Sequence, residues 1–108
     1  MRFSVYLTDD AANDLELISD YIAGHDSQSR AEYVFDGIES AFSVLAEYPD
    51  RGSHPKELLE LGILDYREVF FKPYRIMYRT IGNRVYVMLI IDSRRDIRGM
   101  LYRRLLDR

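Results

Sequence analysis

The spacing of apolar positions changes period along the chain, and each change predicts a new element. Over Arg2–Leu7 apolar and polar residues alternate, with Phe3, Val5 and Leu7 against Arg2, Ser4 and Tyr6, which predicts a short strand. From Ala11 the spacing becomes three and four (Ala11, Leu15, Ile18, Ile22), the stripe of an amphipathic helix. Thr8 is placed to cap that helix, Asp9 and Asp10 suit its positive end, and Gly24 is placed to end it near Ala23. A second helix, capped by Ser27 or by Ser29 with Glu32 as a capping box, carries Ala31, Val34, Phe35, Ile38, Ala41, Phe42 and Leu45 toward Tyr48-Pro49. Gly37 inside it costs about 1 kcal/mol relative to alanine, which predicts close packing against the first helix.

Residues 49–55 form a loop and Lys56–Leu61 a helical turn. The period then returns to two over three runs, Leu64–Phe71, Tyr74–Ile81 and Arg84–Ile91. Lys72-Pro73 and Gly82-Asn83 punctuate them as tight turns, and the second predicts that the last two strands are antiparallel neighbours. The last strand is apolar on both faces, so it is central and covered on both sides. A final helix over Arg94–Leu106, capped by Asp92 or Ser93, has Ile97, Leu101 and Leu105 as its stripe. The order β-α-α-β-β-β-α predicts an α+β fold, an antiparallel sheet packed against a helical hairpin with a C-terminal helix.

Length fits this as a single domain over residues 1–108, large enough for one core. There is no cysteine, hence no disulfide or thiolate metal site. His25 and His54 have no partners at metal-ligand spacing, and no phosphate-binding loop or nucleophile elbow occurs, so no metal or cofactor is expected. No apolar run approaches the roughly 18 residues of a membrane span, and residues 1–10 lack a signal-peptide pattern. The cytoplasm is the expected location.

Charge alters the picture most. Residues 1–54 hold 3 Arg/Lys and 11 Asp/Glu, giving −8, whereas residues 55–108 hold 12 and 7, giving +5. Either the basic half meets an acidic partner, or the two halves neutralise each other across the fold. Alternation places Arg75, Met77 and Arg79 on one strand face opposite Tyr74, Ile76 and Tyr78, and that arginine face is expected to be open. Arg67 from the neighbouring strand and Arg94-Arg95 before the last helix could converge with it as a site for phosphate or carboxylate, which guanidinium groups bind bidentately. The alternative is internal pairing with Glu68, Asp92 or Asp96. Tyr102, about two turns beyond Arg94-Arg95, is a candidate to stack or to move a proton.

Taken together, the motifs resemble the ParE/RelE superfamily of bacterial type II toxin–antitoxin toxins, and the ParE branch most closely. The resemblance covers nearly the whole chain. It runs from Val5-Tyr6-Leu7-Thr8, Ala12, Asp14-Leu15 and Asp20-Tyr21-Ile22 through Leu45, Pro49, Gly52 and Tyr66-Arg67. Pro73-Tyr74-Arg75-Ile76, Tyr78-Arg79, Val85-Tyr86-Val87 and Arg94-Arg95-Asp96 complete it. It implies a cognate antitoxin whose acidic segment wraps the toxin and whose DNA-binding domain reaches operator DNA. It implies DNA gyrase as the target, because ParE-like members inhibit gyrase whereas RelE-like members cut messenger RNA on the ribosome. Arg67, Arg75 and Arg95 fall where RelE-like ribonucleases carry basic active-site residues. A second basic residue expected on the first of these strands is Val69. Tyr102 is displaced by one position, about 100° around a helix. No histidine substitutes for a missing base. The alternatives are a RelE-like metal-independent endoribonuclease using Arg67, Arg75, Arg95 and Tyr102, and a nontoxic module that keeps only antitoxin binding, with Arg67, Arg75, Arg79, Arg94 and Arg95 as binding residues in either the first or the last case.

Overall fold

The computed structural model describes residues 2–106. Strand β1 (Ser4–Leu7) leads into α1 (Asp9–His25) and α2 (Gln28–Ser43), and a short 3-10 turn follows at Val44–Ala46. After the loop comes α3 (Lys56–Leu59), then β2 (Tyr66–Phe71), β3 (Tyr74–Ile81), β4 (Arg84–Asp92) and α4 (Ile97–Leu101). The last helix continues as a wider π turn over Tyr102–Leu106. The sheet order is β1-β4-β3-β2. β2, β3 and β4 are antiparallel neighbours and β1 lies parallel to β4, so the sheet is mixed.

Local chemistry sets the boundaries. Thr8 accepts the Ala11 amide through its side chain and so starts α1. Ser27 does the same for Arg30 and is the cap of α2, in place of the Ser29–Glu32 box. Helix α1 runs through Gly24 to His25, because nothing there requires a left-handed residue. Gly82, by contrast, sits at φ +61° as the first central residue of the two-residue hairpin turn. The last helix starts three residues later than the caps Asp92 and Ser93 predict, since Asp96 accepts the Gly99 amide.

Both sheet faces are covered. The α1–α2 hairpin buries Leu15, Val34, Ile38 and Phe42 against Val69, Ile76, Tyr78 and Val87. On the other face Leu58 of α3 and Ile97, Leu101 and Leu105 of the C-terminal helix pack on Tyr66, Met77, Leu89 and Ile91. The face expected to be open is therefore a second core. The register of β4 explains how one strand serves both layers. Tyr78 pairs with Val87 but Met77 pairs with Leu89, so Met88 bulges out. The bulge reverses the alternation: Val85, Val87 and then Ile90 face the hairpin, while Leu89 and Ile91 face α3 and α4. Simple alternation groups Leu89 and Ile91 with Val87, which the bulge corrects.

Gly37 is closely packed, but not against α1. A Cβ there would lie 2.2 Å from Cζ of Phe71, so the glycine lets β2 approach α2.

Candidate functional site

The arginines of the sheet do not converge; each is held in a different environment. Arg75, on the α3 side of the sheet, is 8% exposed. Its Nη atoms donate to both oxygens of Glu57, Nη1 to Oε2 at 2.9 Å and Nη2 to Oε1 at 2.8 Å, and Nη2 also donates to Glu68 Oε2 at 3.1 Å. Its Nε donates to Glu68 Oε1 at 2.7 Å. The guanidinium is saturated. It holds the Glu57 carboxyl down at about 2, against the effect of burial, and its own pKa is raised by the same hydrogen bonds, Glu57's first. Arg75 is thus a latch between α3, β2 and β3, and its expected place on an open face is corrected.

Arg79 lies on the same face, four residues along β3. It is partly exposed, 3.6 Å from Asp65 Oδ2, with its guanidinium 5.3 Å from the Tyr66 ring centroid. Its Nε is buried without a hydrogen-bond partner among the described residues. It lines a pocket of about 410 Å³ with Tyr66, Ile81, Tyr86 and Leu105.

Arg67 is on the other face, because it pairs with Tyr78 across β2 and β3. It reaches the loop, donating to the Gly52 carbonyl at 2.8 Å and approaching Asp50. Tyr78 fixes the same loop from below: its hydroxyl donates to the Pro49 carbonyl at 2.6 Å and accepts the Gly52 amide at 3.0 Å. Val69 is buried in the hairpin-side core. Tyr102 is 62% exposed on the outer side of the last helix. Arg94 is exposed and pairs with Asp92, while Arg95 is exposed with no side-chain partner among the described residues.

A larger concavity lies elsewhere, along one edge of β4. β1 pairs with β4 only from Arg84 to Val87, since Thr8 donates to the Val87 carbonyl and then turns into α1. Beyond Val87 that edge has no strand neighbour among the described residues. A groove of about 1030 Å³ follows it between α1 and the C-terminal helix, floored by Leu89–Asp92. Arg104 of the C-terminal helix meets two carboxylates of α1, Asp14 and, at 3.7 Å, Asp10. Asp14 accepts from Arg104 at 2.9 and 3.0 Å and also accepts the Ile90 amide at 3.0 Å, while Arg104 donates to the Met88 carbonyl at 3.2 Å. Two side chains thus satisfy backbone groups that a strand would otherwise pair. The far end of the groove is basic, with Arg30, Lys72, Arg94 and Arg95, and its α1 wall exposes Leu17 and Tyr21.

Sequence reading found Arg94 and Arg95 but not Asp14, Arg104 or the edge itself. Asp14 sits at the margin of the apolar stripe of α1, three residues after Ala11 and four before Ile18, and Arg104 lies ninety residues away, so no local period connects them. The charge split between the halves is neutralised across the fold where Arg104 meets Asp14 and Asp10 and where Arg67 meets Asp50, but the other ion pairs of the basic half among the described residues are internal to it.

No described group of His, Cys, Asp and Glu residues is arranged to hold a metal ion. No helix among the described residues is long and apolar enough to cross a membrane. Comparison with known proteins gives two findings. The family model described as ParE toxin of type II toxin-antitoxin system, parDE, matches residues 5–97. A solved structure titled as a chromosomal ParDE TA system from P. aeruginosa superposes with a TM-score of 0.72 at 18% identity, covering 84% of this chain and 96% of that one. No curated protein sequence matches.

Proposed function

Because the chain belongs to the ParE toxin family of type II toxin–antitoxin systems, we propose that it arrests growth in the cytoplasm by inhibiting DNA gyrase, without cutting RNA, and that a cognate antitoxin neutralises it. Saturation of Arg75 carries the second half of this reading. Metal-free RNA cleavage needs cationic and proton-transferring groups gathered around one phosphate. Here Arg75 is buried against Glu57 and Glu68, Arg67 lies on the opposite face, Arg95 stands beyond the end of β4, and Tyr102 points to solvent. Buried Val69 occupies the position where a further base would be needed. The ParE branch of the family supplies gyrase as the target. The antitoxin is expected to carry an acidic segment for this chain and a separate DNA-binding domain, so that operator DNA is reached only through it.

Induced expression followed by two parallel readouts tests this. Relaxed-plasmid supercoiling by gyrase should be inhibited by the purified chain while messenger RNA from the same cells stays intact by primer extension. Fragmented message with normal supercoiling would overturn the proposal. Uninterrupted growth with both readouts normal would replace it with a nontoxic binding module.

A further inference from the structure

Four side chains stand in one row across the sheet, on the face that α3 and the C-terminal helix cover only in part. Tyr6 pairs with Tyr86, Tyr86 with Arg79 and Arg79 with Tyr66, so β1, β4, β3 and β2 each contribute one. The Tyr6 and Tyr86 rings stack at 5.7 Å between centroids, and the Arg79 guanidinium lies over the Tyr66 ring. Neighbouring strands are about 4.8 Å apart, so the two tyrosine backbones that flank Arg79 stand about 10 Å from each other. Ile81, Met88 and Leu105 join these three residues around the pocket of about 410 Å³. That size falls within the roughly 300–1,000 Å³ of small-molecule sites. Ile81 is more than half exposed at its rim.

Chemistry narrows the occupant. Arg79 is the one charged side chain among the described residues that line the pocket, and the fold leaves it underused. Its Nε is buried without a partner among the described residues, and Asp65 Oδ2 lies 3.6 Å from Nη2, beyond hydrogen-bond range. Arg75, four residues earlier on the same face, makes four hydrogen bonds to carboxylates. A charged donor left unpaired in a partly desolvated place costs free energy that a ligand oxygen recovers. One guanidinium, its charge already offset in part by Asp65, matches a single negative charge better than two. The remaining lining is aromatic or aliphatic, and no described carboxylate or histidine lines the pocket to hold a cation. We infer that this pocket binds a small planar aromatic monocarboxylate, its carboxylate forked on the Arg79 guanidinium and its ring against Tyr86 and Ile81. The site is separate from gyrase inhibition and antitoxin binding and depends on neither.

Titration of the full chain with 2-naphthoate, followed by amide NMR, reads position and affinity together. Saturable shifts at Tyr66, Arg79, Ile81, Tyr86 and Leu105 are expected, with a Kd below about 1 mM. The neutral 2-naphthylmethanol keeps the ring and lacks the charge, and should bind roughly tenfold more weakly or worse. Arg79→Met should raise the Kd for 2-naphthoate by roughly tenfold or more, and Arg51→Met should leave it within about twofold. Ile81→Glu keeps Arg79 and sets a like charge at the rim, so it should weaken binding by a similar factor. Absence of saturable binding below about 1 mM overturns the site. So does a Kd unchanged in both Arg79→Met and Ile81→Glu, and so do shifts centred on Lys72 and Arg95 instead. If 2-naphthyl phosphate binds more than about tenfold tighter than 2-naphthoate, the pocket belongs to phosphate esters and the carboxylate assignment is overturned.

Discussion

Replacing Arg75 with alanine measures what the latch contributes. The truncation removes four charge-assisted hydrogen bonds of 2.7–3.1 Å. It also leaves Glu57 and Glu68, at 7% and 5% exposure, with no cation in hydrogen-bond contact among the described residues. The main loss is therefore not the attraction itself but two carboxylates stranded in a low-dielectric layer. Breaking a buried pair in this way costs about 3–5 kcal/mol, a large share of the roughly 5–15 kcal/mol that holds a domain of this size. At about 4 °C per kcal/mol the melting temperature should fall by roughly 12–20 °C. Arg79→Ala is the matched control on the same strand face. Its ion pair with Asp65 spans 3.6 Å and is partly solvated, so its loss should cost under about 1 kcal/mol. Removing the whole triad as Arg75→Met/Glu57→Leu/Glu68→Leu should return the protein to within about 1 kcal/mol of the wild type, since no stranded charge remains. Urea and thermal unfolding followed by circular dichroism provide the comparison. If Arg75→Ala loses less than about 1 kcal/mol, or if it and Arg79→Ala lose the same, the buried latch is refuted and the arginine belongs on an accessible surface.

Three further outcomes follow from the same packing. Glu57 has a lower pKa folded, about 2, than its ordinary 4.5, so its contribution is whole above about pH 4.5 and is lost as pH falls toward 2. That contribution is about 3 kcal/mol in all. The stability gap between wild type and Glu57→Gln should therefore narrow by about 2 kcal/mol between pH 7 and pH 3, and a constant gap would contradict the pairing. Gly37→Ala places a methyl 2.2 Å from the Phe71 ring and should destabilise by about 1–3 kcal/mol, with much of the loss recovered by Phe71→Leu in the same chain. Tyr78→Phe removes the hydroxyl that serves both the Pro49 carbonyl and the Gly52 amide. It should cost about 1–3 kcal/mol and expose the 49–55 loop to faster proteolysis at unchanged helix content.

The element order was legible because each element carries its own period or cap: Thr8 starting α1, the Gly82-Asn83 turn, and the apolar stripes of the two long helices. What one strand's alternation does not contain is which side has company. Arg75 and Arg79 occupy equivalent alternate positions, yet one is buried and the other partly exposed. The difference comes from α3, which a four-residue segment places over Arg75 but not over Arg79, and whose Glu57 supplies half the counter-charge. Local sequence gives Glu57 as an ordinary acid in a short amphipathic turn. Its role depends on a contact eighteen residues away. The bulge at Met88 is hidden for a related reason, because β4 is apolar at every position from Val85 to Ile91 and so carries no periodic signal to interrupt.

The groove follows from a residue that was read correctly and a pairing that was not visible. Thr8 caps α1: its backbone is still extended and its amide still bonds the Val87 carbonyl, but the residues after it, Asp9–His25, are helical. β1 must therefore stop at Leu7. In an antiparallel arrangement, a short strand could be followed by a tight turn that returns the chain to cover its neighbour. β1 is parallel to β4, and its chain instead leaves over the hairpin face as α1, so among the described residues no strand pairs with that edge of β4 beyond Val87. The helix that abandons the edge then lends Asp14 to one of its amides, and the last helix lends Arg104 to one of its carbonyls. Buried backbone groups demand partners, and this clasp meets that demand with side chains whose positions are set by two separate helices. A covered edge would have needed only a longer β1. The chain keeps β1 at four residues against the nine of β4, and the remainder of that edge is met by side chains of α1 and the C-terminal helix rather than by a strand among the described residues.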